Sequence, residues 1–166
     1  MSIQFNANEV FLMAERMERN ASAFYRRAAE LHPNEHNKQF LMKLAAMEEG
    51  HLETFAEMRT RLEASEREET TYDPMDEALL YLKAMADEQK AEGSPDATAS
   101  LTGKETMAQL LRLAIMLEGK AILFYTGIKD LVPAALGKGK LDHIIHEEKS
   151  HVVILSKELK AVEGKK

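Results

Sequence analysis

Glu48 stands three residues before His51 in the stretch AAMEEGHLE, and Glu148 stands three before His151 in HEEKSHVVI. On a helix, residues three apart share a face. Leu44, Met47 and Leu52 mark the same side of the first stretch as apolar. A core stripe has no ordinary use for a carboxylate and an imidazole one turn apart, because burying such groups without partners is costly. A divalent metal ion would neutralise them. Two further carboxylates complete the set, Glu18 and Glu118, the latter inside the otherwise apolar run LRLAIMLEGKAILFY. Carboxylate and imidazole ligands suit iron(II), manganese(II) and zinc, and the donor set does not choose among them.

A single Glu-x-x-His is a weak signal. With 22 Glu and six His in the chain, chance supplies about one such pair. Two pairs that fall in register, each with a partner carboxylate, are a far rarer coincidence. The competing interpretation is a duplicated chain whose polar residues decorate the surface.

Five helical segments position these residues. The first runs from about Asn8 to Leu31, with apolar residues from Val10 through Met13, Met17 and Phe24 to Ala28 recurring at three and four. Asn6 and Glu9 form a capping pair at its start, and Pro33 ends it. The second runs from about Asn34 to Ala64 and carries Phe40, Leu41, Leu44, Met47, Leu52, Phe55 and Met58. After a polar break, Asp73-Pro74 opens a shorter helix to about Lys90. GSPDATAS is expected as loop, and Thr102 with Glu105 as a capping box for a fourth segment from Gly103 to Val132. Pro133 breaks the chain again, and the last segment runs from about Ala134 to Val162, with Gly137 and Gly139 weakening its first turn. No segment alternates at period two, so no sheet is expected. The layout is hairpin, long crossover, hairpin. Domain organisation follows: one bundle over residues 1–166, with a hairpin at about 8–64, a crossover at about 65–102 and a second hairpin at about 103–162.

The two hairpins align at an offset of 100 residues without a gap. Between positions 18 and 51, ten of 34 residues recur, among them Glu18/Glu118, Phe24-Tyr25/Phe124-Tyr125, Pro33/Pro133, Glu48/Glu148 and His51/His151. Glu18 lies 15 residues before Pro33 and Glu48 lies 15 after it. If the chain reverses at the proline, both carboxylates stand about 22 Å from the turn at 1.5 Å per helical residue. Glu118 and Glu148 bear the same relation to Pro133. Packing the hairpins together then brings four carboxylates and two imidazoles to one level. Tyr25 and Tyr125 follow the Glu18 and Glu118 positions by two turns. They serve either as plain core aromatics or as donors that hold a metal-bound carboxylate in place. His143 and His146, and His32 and His36 beside Pro33, are expected at the surface.

Bulk composition narrows the function. The net charge of −6 and the lack of a basic patch argue against nucleic acid as a partner. The Lys-rich end of the chain reads as a solvated helix terminus. Absence of cysteine removes disulfides, thiolate metal sites and iron–sulfur clusters. MSIQFNANEV has no signal-peptide pattern, and no apolar run is long enough for a membrane span, so a cytoplasmic location without membrane attachment is expected.

With these motifs in place, the sequence resembles the rubrerythrin-like branch of the ferritin-like superfamily of di-iron carboxylate proteins. The resemblance covers the two hairpins, about 120 residues, and not the crossover. It implies an all-α four-helix bundle of two pseudo-symmetric hairpins, with a short extra helix in the crossover. It also implies two iron ions, with manganese or zinc as alternatives, on Glu18, Glu48, His51, Glu118, Glu148 and His151. Tyrosines placed as Tyr25 and Tyr125 support ligands in such proteins. The chain departs from the family at two points. It lacks the cysteines of a rubredoxin domain, so an external electron donor such as a rubredoxin-type protein is implied. The family's further Glu, one turn after the position of Glu118, is here Ala121, matched by Ala21, which implies slow turnover with peroxide. Glu147 and Glu15 are spare carboxylates nearby, but they align with Met47 and Ile115, and symmetry gives neither a place in the site. The function implied is a redox reaction with oxygen or peroxide, as a peroxidase or ferroxidase in oxidative-stress defence or iron handling. A non-catalytic metal-binding or iron-storage protein would use the same ligands. A di-iron hydroxylase is disfavoured, because no helix reads as lying in a membrane interface. A homodimer is compatible with the sequence.

Overall fold

The computed structural model describes residues 7–62, 95–129 and 138–164. They form helix α1 (Ala7–Leu31), α2 (Glu35–Thr60), α3 (Pro95–Ala99), α4 (Met107–Ile128) and α5 (Lys138–Glu163). No strand occurs among the described residues. The expected crossover helix after Pro74 lies outside them, as do Asn6, Pro133 and the expected first turn after Ala134.

Local chemistry explains most of the helix boundaries. Asn34 adopts an extended backbone and its side chain accepts from the Asn37 amide at 3.0 Å, which satisfies one of the open donors at the start of α2. α2 ends at Thr60, earlier than the periodicity suggests, and Arg61 caps it. Two expectations need correction. The stretch GSPDATAS is not all loop, since Pro95 to Ala99 makes a single helical turn opened by the proline. Thr102 and Glu105 do bond as expected, with the Thr102 amide 3.0 Å and the Gly103 amide 2.9 Å from the Glu105 carboxylate. That box closes a turn and does not start the helix. Gly103 sits at φ +80°, a left-handed conformation that suits glycine and interrupts any helix there. α4 instead begins with a second box, in which Thr106 and Gln109 satisfy each other's backbone.

Two apolar clusters order the bundle. One joins the start of α1 (Phe11, Ala14), the end of α2 (Phe55, Met58), the end of α4 (Phe124, Ile128) and the start of α5 (Leu141, Ile144). The other joins the end of α1 (Phe24, Ala28), the start of α2 (Leu41, Leu44), the start of α4 (Leu111, Ala114) and Leu155 late in α5. α2 therefore ends at one end of the bundle and α4 begins at the other, the wiring of a four-helix bundle with one long crossover. Each helix presents one buried stripe. On α2 it runs Leu41, Leu44, Ala45, Glu48, His51, Phe55, and on α5 Leu141, Ile144, Ile145, Glu148, His151, Leu155. The steps follow the helical repeat throughout, so the Glu and His occupy core positions. On α1 and α4 the stripes also coincide at an offset of 100, with Ala14, Glu18, Phe24 and Tyr25 against Ala114, Glu118, Phe124 and Tyr125. Met47, expected on the apolar side of α2, is exposed instead.

Candidate metal centre

Between the two apolar clusters lies one polar layer. Glu18, Glu48, His51, Glu118, Glu148 and His151 are all buried, none with more than 5% of its surface accessible. The helices bring them together from four sides, with Glu18 on α1, Glu48 and His51 on α2, Glu118 on α4, and Glu148 and His151 on α5. The ligand atoms form two groups, each spanning no more than 4.8 Å: Glu18, Glu48, His51 and Glu148 in one, and Glu48, Glu118, Glu148 and His151 in the other. Glu48 and Glu148 belong to both.

His51 Nδ1 lies 2.9 Å from Glu148, 3.4 Å from Glu48 and 3.6 Å from Glu18. His151 Nδ1 mirrors it at 3.1 Å from Glu148, 3.2 Å from Glu48 and 3.7 Å from Glu118. The two rings are stacked with centroids 5.5 Å apart. These separations are short but lack hydrogen-bond geometry. Glu48 Oε1, both Glu148 oxygens, His51 Nδ1 and both nitrogens of His151 are buried without a hydrogen-bond partner. Buried polar atoms are nearly always hydrogen-bonded. Five of these six, all but the outer nitrogen of His151, are metal donors that face one another, and they fit a pair of cations.

The electrostatics without metal follow from burial. Burial pushes the Glu18 carboxyl well above its usual range; His51 opposes this, and repulsion from Glu148 and Glu48 adds to it. Burial likewise raises Glu118, reinforced by Glu48 and opposed by His151. Burial alone would lower both histidines, but the carboxylates outweigh it. Glu118, Glu148 and Glu48 lift His151 to about 12, and Glu148, Glu18 and Glu48 lift His51 also. Burial opposes ionisation of Glu148, yet His151, His51 and Glu118 together draw it down to about 2. The layer thus favours the protonated forms of its outer carboxyls and of its imidazoles.

Tyr25 and Tyr125 each bind one carboxylate oxygen of the layer, and they do so across the bundle. The Tyr25 hydroxyl donates to Glu118, and the Tyr125 hydroxyl donates to Glu18. Each tyrosine therefore holds the carboxylate of the opposite hairpin. Burial first, then the neighbouring carboxylate, raises both phenols, which keeps them protonated as donors. Each packs edge-on against the preceding phenylalanine, with ring centroids 5.4 Å apart for Phe24–Tyr25 and 5.6 Å for Phe124–Tyr125.

The spare carboxylates depart from the symmetric expectation. Glu15 is buried, it ion-pairs with Arg59 between α1 and α2, and it belongs to neither four-residue group. Glu147 does reach the site's edge, with its Oε2 3.3 Å from His51 Nε2. Sequence symmetry hides this contact because the counterpart of Glu147 is Met47. His143 and His146 are exposed, as expected, and His32 sits half-buried at the α1–α2 turn, accepting from the Asn34 amide.

The architecture has a structural relative. The chain superposes on a candidate ferritin-like diiron-carboxylate protein from Thermotoga maritima with a TM-score of 0.69, over 95% of this chain and 96% of that one, at 22% identity. At that identity the likeness shows the fold, which is ferritin-like. No protein-family model and no curated protein matches the chain. The protein is a ferritin-like helical bundle whose buried Glu/His cluster fits a dinuclear metal site. No helix among the described residues is long and apolar enough to cross a membrane.

Proposed function

We propose that this chain is a rubrerythrin-like di-iron carboxylate protein that reacts with oxygen or peroxide in the cytoplasm, in oxidative-stress defence or iron handling. The observation that carries the proposal is the pair of buried four-residue groups sharing Glu48 and Glu148. Shared carboxylates can hold two metals close together, the arrangement suited to two-electron steps at one substrate. Glu18 and His51 would complete one position, and Glu118 and His151 the other. Two iron(II) ions held there would supply two electrons, one each, to a molecule of peroxide or oxygen.

The residues themselves do the rest. Tyr25 and Tyr125 hold Glu118 and Glu18 by one oxygen each, which would steady those carboxylates as metal ligands. The apolar clusters above and below exclude water from the layer. Metal binding would displace the protons that burial favours on Glu18 and Glu118 and that the carboxylates favour on the imidazoles. These 166 residues hold no cysteine to ligate a rubredoxin-type iron, and an electron donor of rubredoxin type would re-reduce the site. Stopped-flow mixing of the iron(II)-loaded protein with peroxide or oxygen tests the proposal. Rapid growth of a near-ultraviolet iron(III) band at two oxidised ions per chain is expected. Bound iron(II) that stays reduced under both oxidants would reject the redox role and leave a metal-storage protein.

A further inference from the structure

The two metal positions are not equivalent, and the difference lies outside both groups of ligands. On one side, the outer nitrogen of His51 faces Glu147 Oε2 at 3.3 Å. That same oxygen lies 3.5 Å from His143 Nε2, one turn earlier on α5. On the other side, the outer nitrogen of His151 is buried and has no hydrogen-bond partner among the described residues. The residue that corresponds to Glu147 at the hundred-residue offset is Met47, which offers no acceptor. Glu147 belongs to neither four-residue group, so it is not itself placed as a ligand.

The chemistry of an imidazole gives this asymmetry a consequence. Nδ1 of His51 points at the carboxylates, and it can donate its lone pair to a metal only if the ring proton resides on Nε2. A carboxylate at Nε2 accepts that proton's hydrogen bond, fixes the tautomer and ring orientation, and makes Nδ1 a stronger donor. Among the described residues His151 has no such acceptor. Resting on the metal-centre reading above, we infer that Glu147 is a positioning residue for His51, and that it makes the Glu18/Glu48/His51/Glu148 position the tighter of the two. This position fills first.

Shared carboxylates couple the two ions, so two binding steps in the parent protein would not by themselves assign the difference. Single-position variants do. In His151→Ala only the His51 position keeps its imidazole, and in His51→Ala only the His151 position does. Cobalt(II) is titrated into each metal-free variant, followed by calorimetry and by d–d absorption. His151→Ala should bind cobalt about tenfold or more tightly than His51→Ala. Adding Glu147→Leu should weaken cobalt binding by His151→Ala about tenfold to a hundredfold and leave His51→Ala within about twofold. Glu147→Gln keeps an acceptor at the same place and should restore part of the loss. A merely structural role for Glu147 would move both backgrounds alike. Equal effects in both backgrounds, no effect in either, or tighter binding by His51→Ala would overturn the inference. If the parent still binds two cobalt ions in those cases, the metal centre itself stands. If the parent binds none, the metal-centre reading falls and the inference falls with it.

Discussion

Metal binding should expel protons, and the number can be worked from the layer. His51 and His151 are raised above the ordinary imidazole value, His151 to about 12. Glu18 and Glu118 are raised well above the ordinary carboxyl value. A raised group contributes stability that is fully present below its unfolded pKa and fades as pH rises through its folded pKa. For the imidazoles that window opens near 6.5 and extends, for His151, to about 12. The metal-free protein near neutral pH therefore still carries both imidazole protons. A metal needs each imidazole neutral, so two ions displace at least two protons, and up to four if both raised carboxyls also yield theirs. Each displaced proton makes the summed binding free energy more favourable by about 1.4 kcal/mol per pH unit. Two protons correspond to about a hundredfold per pH unit in the product of the two constants. The assay is calorimetric titration of zinc(II) into the metal-free protein at about pH 7.5, in buffers of different ionisation enthalpy. The slope of observed heat against buffer enthalpy counts the protons. A slope between two and four per two ions is expected. Solvated histidines with ordinary pKa values would release only about a tenth of a proton each at that pH. A slope below one would show that the charges are not buried together as described.

Two substitution series extend the test. Glu118→Gln removes one carboxylate from the layer, and Glu53→Gln changes an exposed residue on α2 as control. With each position loaded at about a hundredfold over its Kd, binding adds about 2.7 kcal/mol per ion, or about 5–11 °C in Tm for a chain of this size. Glu118→Gln should lose about half of the total rise or more, while its metal-free Tm stays level or climbs slightly, because a buried ionisable group is gone. If it keeps the same rise as Glu53→Gln, Glu118 holds no metal. Tyr25→Phe and Tyr125→Phe each remove one bond from a phenol to a buried carboxyl of the other hairpin. Each should leave a buried carboxyl oxygen without its donor and cost about 1–3 kcal/mol, or about 2–12 °C in metal-free Tm, and the two should be alike. Thermal melts by circular dichroism read this, and unchanged Tm in both would remove the cross-hairpin tie.

Much of the site is legible in the sequence because its information is periodic. Glu48 and His51 fall on the same helical stripe as Leu41, Leu44 and Phe55, so periodicity alone turns them inward. The proline turn then sets the heights. The tyrosines are legible only in part. Their spacing puts them on the ligand face, but that each reaches the carboxylate of the opposite hairpin depends on how the hairpins pack. Glu147 escapes the sequence for a physical reason: the symmetry argument asks what the halves share, and this contact is one they do not. The start of α4 is ambiguous because two capping boxes lie four residues apart, at Thr102 and Thr106. Only the left-handed backbone at Gly103 decides between them. Met47 reads as core because it is apolar, yet its position on α2 points away from the bundle.

The central claim is that one buried layer holds two metal ions through six side chains. Its most direct test is elemental analysis of protein stripped of metal, reconstituted anaerobically with iron(II) and desalted, with helix content checked in the same sample. The two groups of ligands predict close to two iron ions per chain, falling to one or fewer in Glu48→Ala, which removes a residue both groups share. A helical parent protein that retains no iron, or a Glu48→Ala variant that retains both ions, would contradict it.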